Sequence, residues 1–141
     1  MNPIRTFIAA VVVTAAAAAP ALADQFLSGT DAHAMLAGRQ FDFICADGTR
    51  GQAHYAKSGT ATASYRLPTA GDDAKQLTDR GQVRMNGEDV CIRWQDLNGG
   101  KEGCYRMTER RPGVYRISEG TARWCELTFN GSTVQAGAAG N

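Results

Sequence analysis

Four cysteines offer the sharpest chemical options in this chain. Cys45, Cys91, Cys104 and Cys125 are the residue types that ligate metals, shuttle electrons or cross-link a fold. A closed zinc site needs four ligands, commonly drawn from close C-x-x-C or H-x-x-x-H pairs. No two of these cysteines lie that close, and the histidines are His33 and His54 alone. The same spacing lacks the C-x-x-C of a thiol–disulfide redox centre. Disulfides are therefore expected, with no metal and no cofactor. Nucleophilic and phosphate-binding patterns are also missing, with no G-x-S-x-G, no H-E-x-x-H and no P-loop. Asp42 and His54 could meet across adjacent strands as a general-base pair. An aspartate and a histidine on a sheet surface are more often simply solvated, so the chain is expected to be noncatalytic. The stretch "DLNGGKE" (96–102) has a calcium-loop flavour but lacks the final bidentate acid of the EF-hand pattern, and is better read as a hairpin tip.

Two further sets of side chains suit binding rather than catalysis. Arg84, Arg93, Arg106 and Arg116 fall on one face of consecutive strands, an arrangement that can grip a sulfate, a phosphate or an acidic partner. Asp89 and Glu102 share that face, so an ordinary ion-paired exterior is the competing expectation. On the other face, Trp94, Tyr105, Tyr65 and Tyr115 either fill an interior or wall a pocket. These eight residues form the candidate ligand-binding set.

The elements that must position them read as short strands with turn signals between. They are "RQFDFIC" (39–45), "TRGQAHYA" (49–56), "TATASYRL" (60–67), "GQVRM" (81–85), "DVCIRWQ" (89–95), "CYRMTE" (104–109), "VYRI" (114–117) and "ARWCELTF" (122–129). Pro68 to Arg80 reads as a longer polar loop, and Asn86-Gly87 is a strong hairpin turn. The spacing predicts an all-β fold: about eight antiparallel strands in an up-and-down barrel or strongly curved sheet. One short N-terminal helix is expected at "TDAHAMLAG" (30–38), capped by Thr30 or Asp31 and ended by Gly38. It either plugs a barrel mouth or packs outside. Period-2 alternation assigns to the core Phe41, Phe43, Tyr55, Ala61, Ala63, Tyr65, Val83, Met85, Val90, Ile92, Trp94, Tyr105, Met107, Tyr115 and Ile117.

Register then decides between the roles open to the cysteines. With Cys91 opposite Cys104, Val90 faces Tyr105, Asp89 faces Arg106 and Arg93 faces Glu102. Apolar meets apolar on one face and acid meets base on the other, which supports a cross-strand disulfide. Cys45 ends the first strand and Cys125 lies in the last. These are neighbours in a closed barrel, so of three possible connectivities 45–125 with 91–104 is preferred. A two-residue turn at Glu119-Gly120 would put Trp124 inside and Cys125 outside, whereas a bulge at Gly120 would reverse that. The sequence leaves Cys125's side open.

The chain ends point to export. A charge at Arg5, an apolar run from Phe7 to Ala19 and the small-x-small Ala21-Leu22-Ala23 predict a signal peptide over 1–23, cleaved before Asp24. Residues 24–129 would be a single barrel domain and 130–141 a disordered tail. Cleavage would take Arg5 from the 15 basic residues and leave 14, equal to the 14 acidic ones. That balance gives no footprint for nucleic acid, and no membrane span is expected after cleavage. The expected location is periplasmic or secreted.

At "FDFICADGTRGQAHY" (41–55) the chain resembles the start of the periplasmic C-type lysozyme inhibitor family, with an aromatic-x-Cys-x-x-Gly strand and hairpin following a signal peptide. The resemblance implies a small antiparallel barrel whose first strand is bridged to its C-terminal end, matching Cys45 with Cys125. The family's Ser-Gly-x-x-Tyr inhibitory loop is met here by Ser58, Gly59 and Tyr65 at a different spacing. "GQVRMNGEDVCIRW" with "GCYRM" is similar to small exported alphaproteobacterial proteins of uncharacterised function. Together these readings predict a noncatalytic, disulfide-stapled β-barrel that binds a small ligand, a cell-wall fragment or an envelope protein partner. The alternatives are an inhibitor of lysozyme or another hydrolase, and a small-barrel enzyme.

Overall fold

The computed structural model describes residues 25–69, 71 and 73–129. The predicted signal peptide and tail lie outside them. The described chain forms β1 (Gln25–Phe26), α1 (Gly29–Leu36), β2 (Arg39–Cys45), β3 (Arg50–Tyr55), β4 (Thr60–Arg66), β5 (Leu77–Asn86), β6 (Asp89–Trp94), β7 (Glu102–Arg111), β8 (Val114–Glu119) and β9 (Arg123–Phe129). From β2 to β9 each strand pairs antiparallel with the next, and β9 returns to β2. This is a closed eight-stranded up-and-down barrel. Closure leaves no long unpaired edge to recruit another chain.

Alternation along the strands sorts side chains between interior and exterior. Phe41, Ala53, Tyr55, Ala63, Tyr65, Val90, Met107, Tyr115, Ile117, Leu127 and Phe129 share one buried cluster, with Phe43, Val83, Met85, Ile92, Trp94 and Tyr105 packed against it. Leu127 and Phe129 extend the core expected from sequence. The hairpin of β6 and β7 has the expected register, pairing Val90 with Tyr105, Cys91 with Cys104 and Arg93 with Glu102. Both disulfides form as preferred, Cys91–Cys104 and Cys45–Cys125. The second joins β2 to β9 at the seam where the barrel closes.

Several elements depart from the sequence reading, each for a physical reason. Strand β5 begins at Leu77, inside the segment expected to be a loop. Asp79 holds this part of the strand. Its buried carboxylate accepts hydrogen bonds from the backbone N–H groups of Arg80 (2.7 Å), Gln95 (3.2 Å), Asp96 (3.1 Å) and Leu97 (2.8 Å). A polar residue thus fills a core-facing strand position because the turn after β6 presents donors to it. The two-residue β1, too short to leave a pattern, pairs with the far half of β7 through Gln25–Glu109 and Phe26–Thr108.

Helix α1 is capped by Ser28, whose hydroxyl accepts from the Asp31 N–H at 3.1 Å, rather than by Thr30 or Asp31. It ends at Leu36, with Gly38 two residues beyond in a left-handed turn (φ 75°) whose N–H bonds the Tyr55 carbonyl. Ala32 and Leu36 are buried in the barrel cluster, so the helix plugs one mouth. At the opposite end, β8 and β9 are joined by three residues, 120–122, because Glu119 pairs with Arg123 and Ile117 with Cys125. The extra residue turns Cys125 inward and Trp124 outward.

Candidate functional site

Two inward-facing glycines shape the barrel's interior. Gly81 stands opposite Trp94, and a Cβ there would lie 2.9 Å from the indole. Gly103 precedes Tyr105 on the same face, and a Cβ there would lie 2.2 Å from the Tyr105 hydroxyl. Both rings therefore lie along the wall over a bare backbone instead of projecting to the axis. What remains between them is a cavity of about 90 Å³. Phe41 and Phe43 wall it from β2, Val83 from β5, and Ile92 and Trp94 from β6; Leu36 of the plug and Leu97 of the opposite turn also face it. Its lining is almost wholly apolar, with Tyr55 and Tyr105 supplying the hydroxyls. An apolar void of this kind stays dry and is the type that accepts small apolar molecules.

The hydroxyls and the mouths complete the picture. The Tyr55 hydroxyl is hydrogen-bonded to His33 Nδ1 of α1 at 2.9 Å, pinning the plug to the wall. Burial raises the Tyr55 phenol above its ordinary pKa. Burial also pushes the Tyr105 phenol up, while Arg123 pulls it down and Glu119 adds to the rise. Both stay protonated at neutral pH. Beyond Tyr105 the end of the barrel opens into a depression of about 360 Å³ between Asp47, Asn98, Arg123 and Trp124.

Of the eight candidate binding residues, Trp94 and Tyr105 wall the cavity. Tyr65 and Tyr115 are buried away from it. The Tyr65 phenol is raised by burial and by the charges of Asp79 and Asp96. Tyr115 donates to Glu109 at 3.4 Å and packs edge-on against Phe129. The four arginines lie on the exterior, and three of them join acids. Arg106 reaches Asp89 at 3.1 Å, as the register implies, and Arg116 lies 3.6 Å from Glu126 while stacking over Trp124. Glu102, directly opposite Arg93, instead takes two bonds from Arg84 at 2.9 and 2.5 Å. Arg84 reaches diagonally across β6, so the pair is one strand removed from the one expected. The Glu102 carboxyl is held below its usual range chiefly by that hydrogen bond.

Two further clusters among the described residues hold cysteines and His54. The Cys91 and Cys104 sulfurs and a Glu102 oxygen lie within 4.8 Å of one another, but the sulfurs are bonded to each other and are not thiolates. Pairing sets Gln40 against His54 and Asp42 against Gln52, so Asp42 and His54 are diagonal. Around His54 the exterior of β2–β5 forms an open polar hollow of about 520 Å³, with Gln40, Gln52, Thr62, Ser64 and Arg80 at its surface. Neither glycine's role in making the cavity was legible beforehand, since the void depends on where two rings lie down.

Fold and site together define a class: a disulfide-bonded, closed eight-stranded β-barrel with an apolar interior chamber and one plugged mouth. No family model, no curated protein and no solved structure matches the chain.

Proposed function

We propose that this protein is a noncatalytic, exported binding module that takes a small apolar ligand inside its barrel. One observation carries the proposal: the cavity of about 90 Å³ walled by Trp94, Tyr105, two phenylalanines and aliphatic side chains. Its lining holds no carboxylate, no imidazole and no free thiol, so it is equipped to bind by shape and burial rather than to move protons. Two disulfides suit an oxidising compartment, and periplasmic or secreted location follows as part of the same reading. Native mass spectrometry after mild purification tests it. The expected result is a bound mass that leaves on denaturation. An empty barrel that also fails to take up small aromatic hydrocarbons would contradict the proposal.

Inhibition of a lysozyme is a second reading. The Cys45–Cys125 bridge supports it, being the pairing that the resemblance at 41–55 implies. Against it, Ser58 and Gly59 lie in the turn between β3 and β4 while Tyr65 is buried at 6% exposure, so the three do not present one inhibitory loop. Lysozyme turnover unchanged at micromolar excess of the protein would remove this reading.

A further inference from the structure

The chamber's two ends differ in chemistry, and that difference specifies the ligand further. At the α1 end the wall is sealed by Leu36 and by the Tyr55–His33 hydrogen bond. At the other end Tyr105 and Cys125 wall both the chamber and the outer depression of about 360 Å³. Among the described residues Arg116 Nε is the sealed side-chain polar atom without a partner. The Tyr105 hydroxyl has no hydrogen-bond partner among them and is not sealed, and its residue lines both the chamber and the outer depression. A group spanning chamber and depression would pass beside Tyr105.

The cation on this rim, Arg123, is already engaged. Arg123 donates to Asn98 Oδ1 at 2.5 Å and lies 3.2 Å from Glu119. Asp47, on the same rim, accepts the Thr49 N–H at 2.9 Å. An anionic head would find Arg123 committed and Asp47 repulsive, so the unmet need is for a neutral hydrogen-bonding group.

We infer that the ligand is a ring-sized amphiphile, with an apolar ring or short branched chain in the chamber and an uncharged hydroxyl or amide head bonded to Tyr105 at the mouth. This rests on the interior-binding reading and deepens it. At about 90 Å³ the chamber is about three-fifths of the roughly 150 Å³ void known to hold benzene, so the apolar part can be no larger than one ring.

Calorimetric titration with toluene, benzyl alcohol and benzoate, repeated on Tyr105→Phe, tests the inference. Benzyl alcohol should bind more tightly than toluene, with benzoate the weaker of the two headed probes. In Tyr105→Phe, the preference for benzyl alcohol over toluene should fall about fivefold. An unchanged preference, or benzoate binding above benzyl alcohol, would overturn the inference and leave interior binding standing. No binding of any probe would overturn both.

Discussion

At the scale of single residues, Asp79 ties the start of β5 to the turn after β6. One carboxylate on the inner side of β5 satisfies four backbone N–H groups, three of them in the turn that leads out of β6. Asp79→Asn puts an amide N–H₂ where two of those donors point. It is expected to destabilise the fold by about 2–3 kcal/mol, read as a lower urea midpoint. Glu102 makes the complementary case on the surface. Its carboxyl is depressed by Arg84, so the stabilisation from this pair is present above the ordinary glutamate pKa and is lost as pH falls through the lowered value. In Arg84→Ala, carboxyl NMR should show Glu102 titrating higher, nearer the usual glutamate range, and an unmoved titration would contradict the assignment. Arg93, its facing residue, was the partner expected from sequence. The exchange was not legible because a long arginine reaches a diagonal neighbour as easily as a direct one.

At the scale of elements, legibility followed redundancy. The β6–β7 hairpin was readable because three independent pairings, apolar, disulfide and ionic, required one register. The β8–β9 turn carried a single cue, Gly120, and the side of Cys125 hinged on one residue of turn length. The beginning of β5 was hidden because its inward residue is an aspartate whose partners lie 16 to 18 positions away. The two disulfides separate elements in another way. Cys45–Cys125 spans 80 residues and Cys91–Cys104 spans 13. In the chain-entropy picture their contributions are about 4.5 and about 3 kcal/mol. Replacing Cys45 and Cys125 together by serine is therefore expected to lower the denaturation midpoint more than replacing Cys91 and Cys104. The reverse order would mean that the barrel seam is held chiefly by strand pairing and packing.

At the scale of the whole molecule, the alternation of small and aromatic residues makes a barrel, and two glycines under aromatic rings make it hollow. Closure was legible from eight strands at regular spacing with a cysteine in the first and the last. The chamber was not, because a list of inward residues does not say whether their rings meet at the axis. Trp94 and Tyr105 lie over Gly81 and Gly103, and the plug Leu36 faces the same chamber. The exterior of β5–β9 fits this division, with Arg84, Arg106 and Arg116 engaged by outward acids and the chamber lining free of charged side chains. Methyl NMR during a toluene titration tests the central claim most directly. Ring-current shifts should saturate at the methyls that face the chamber, on Leu36, Val83, Ile92, Ile117 and Leu127, and should spare buried Val114, which does not face it. Shifts that are absent, or that rise linearly and equally at Val114, would show that the barrel has no interior binding site.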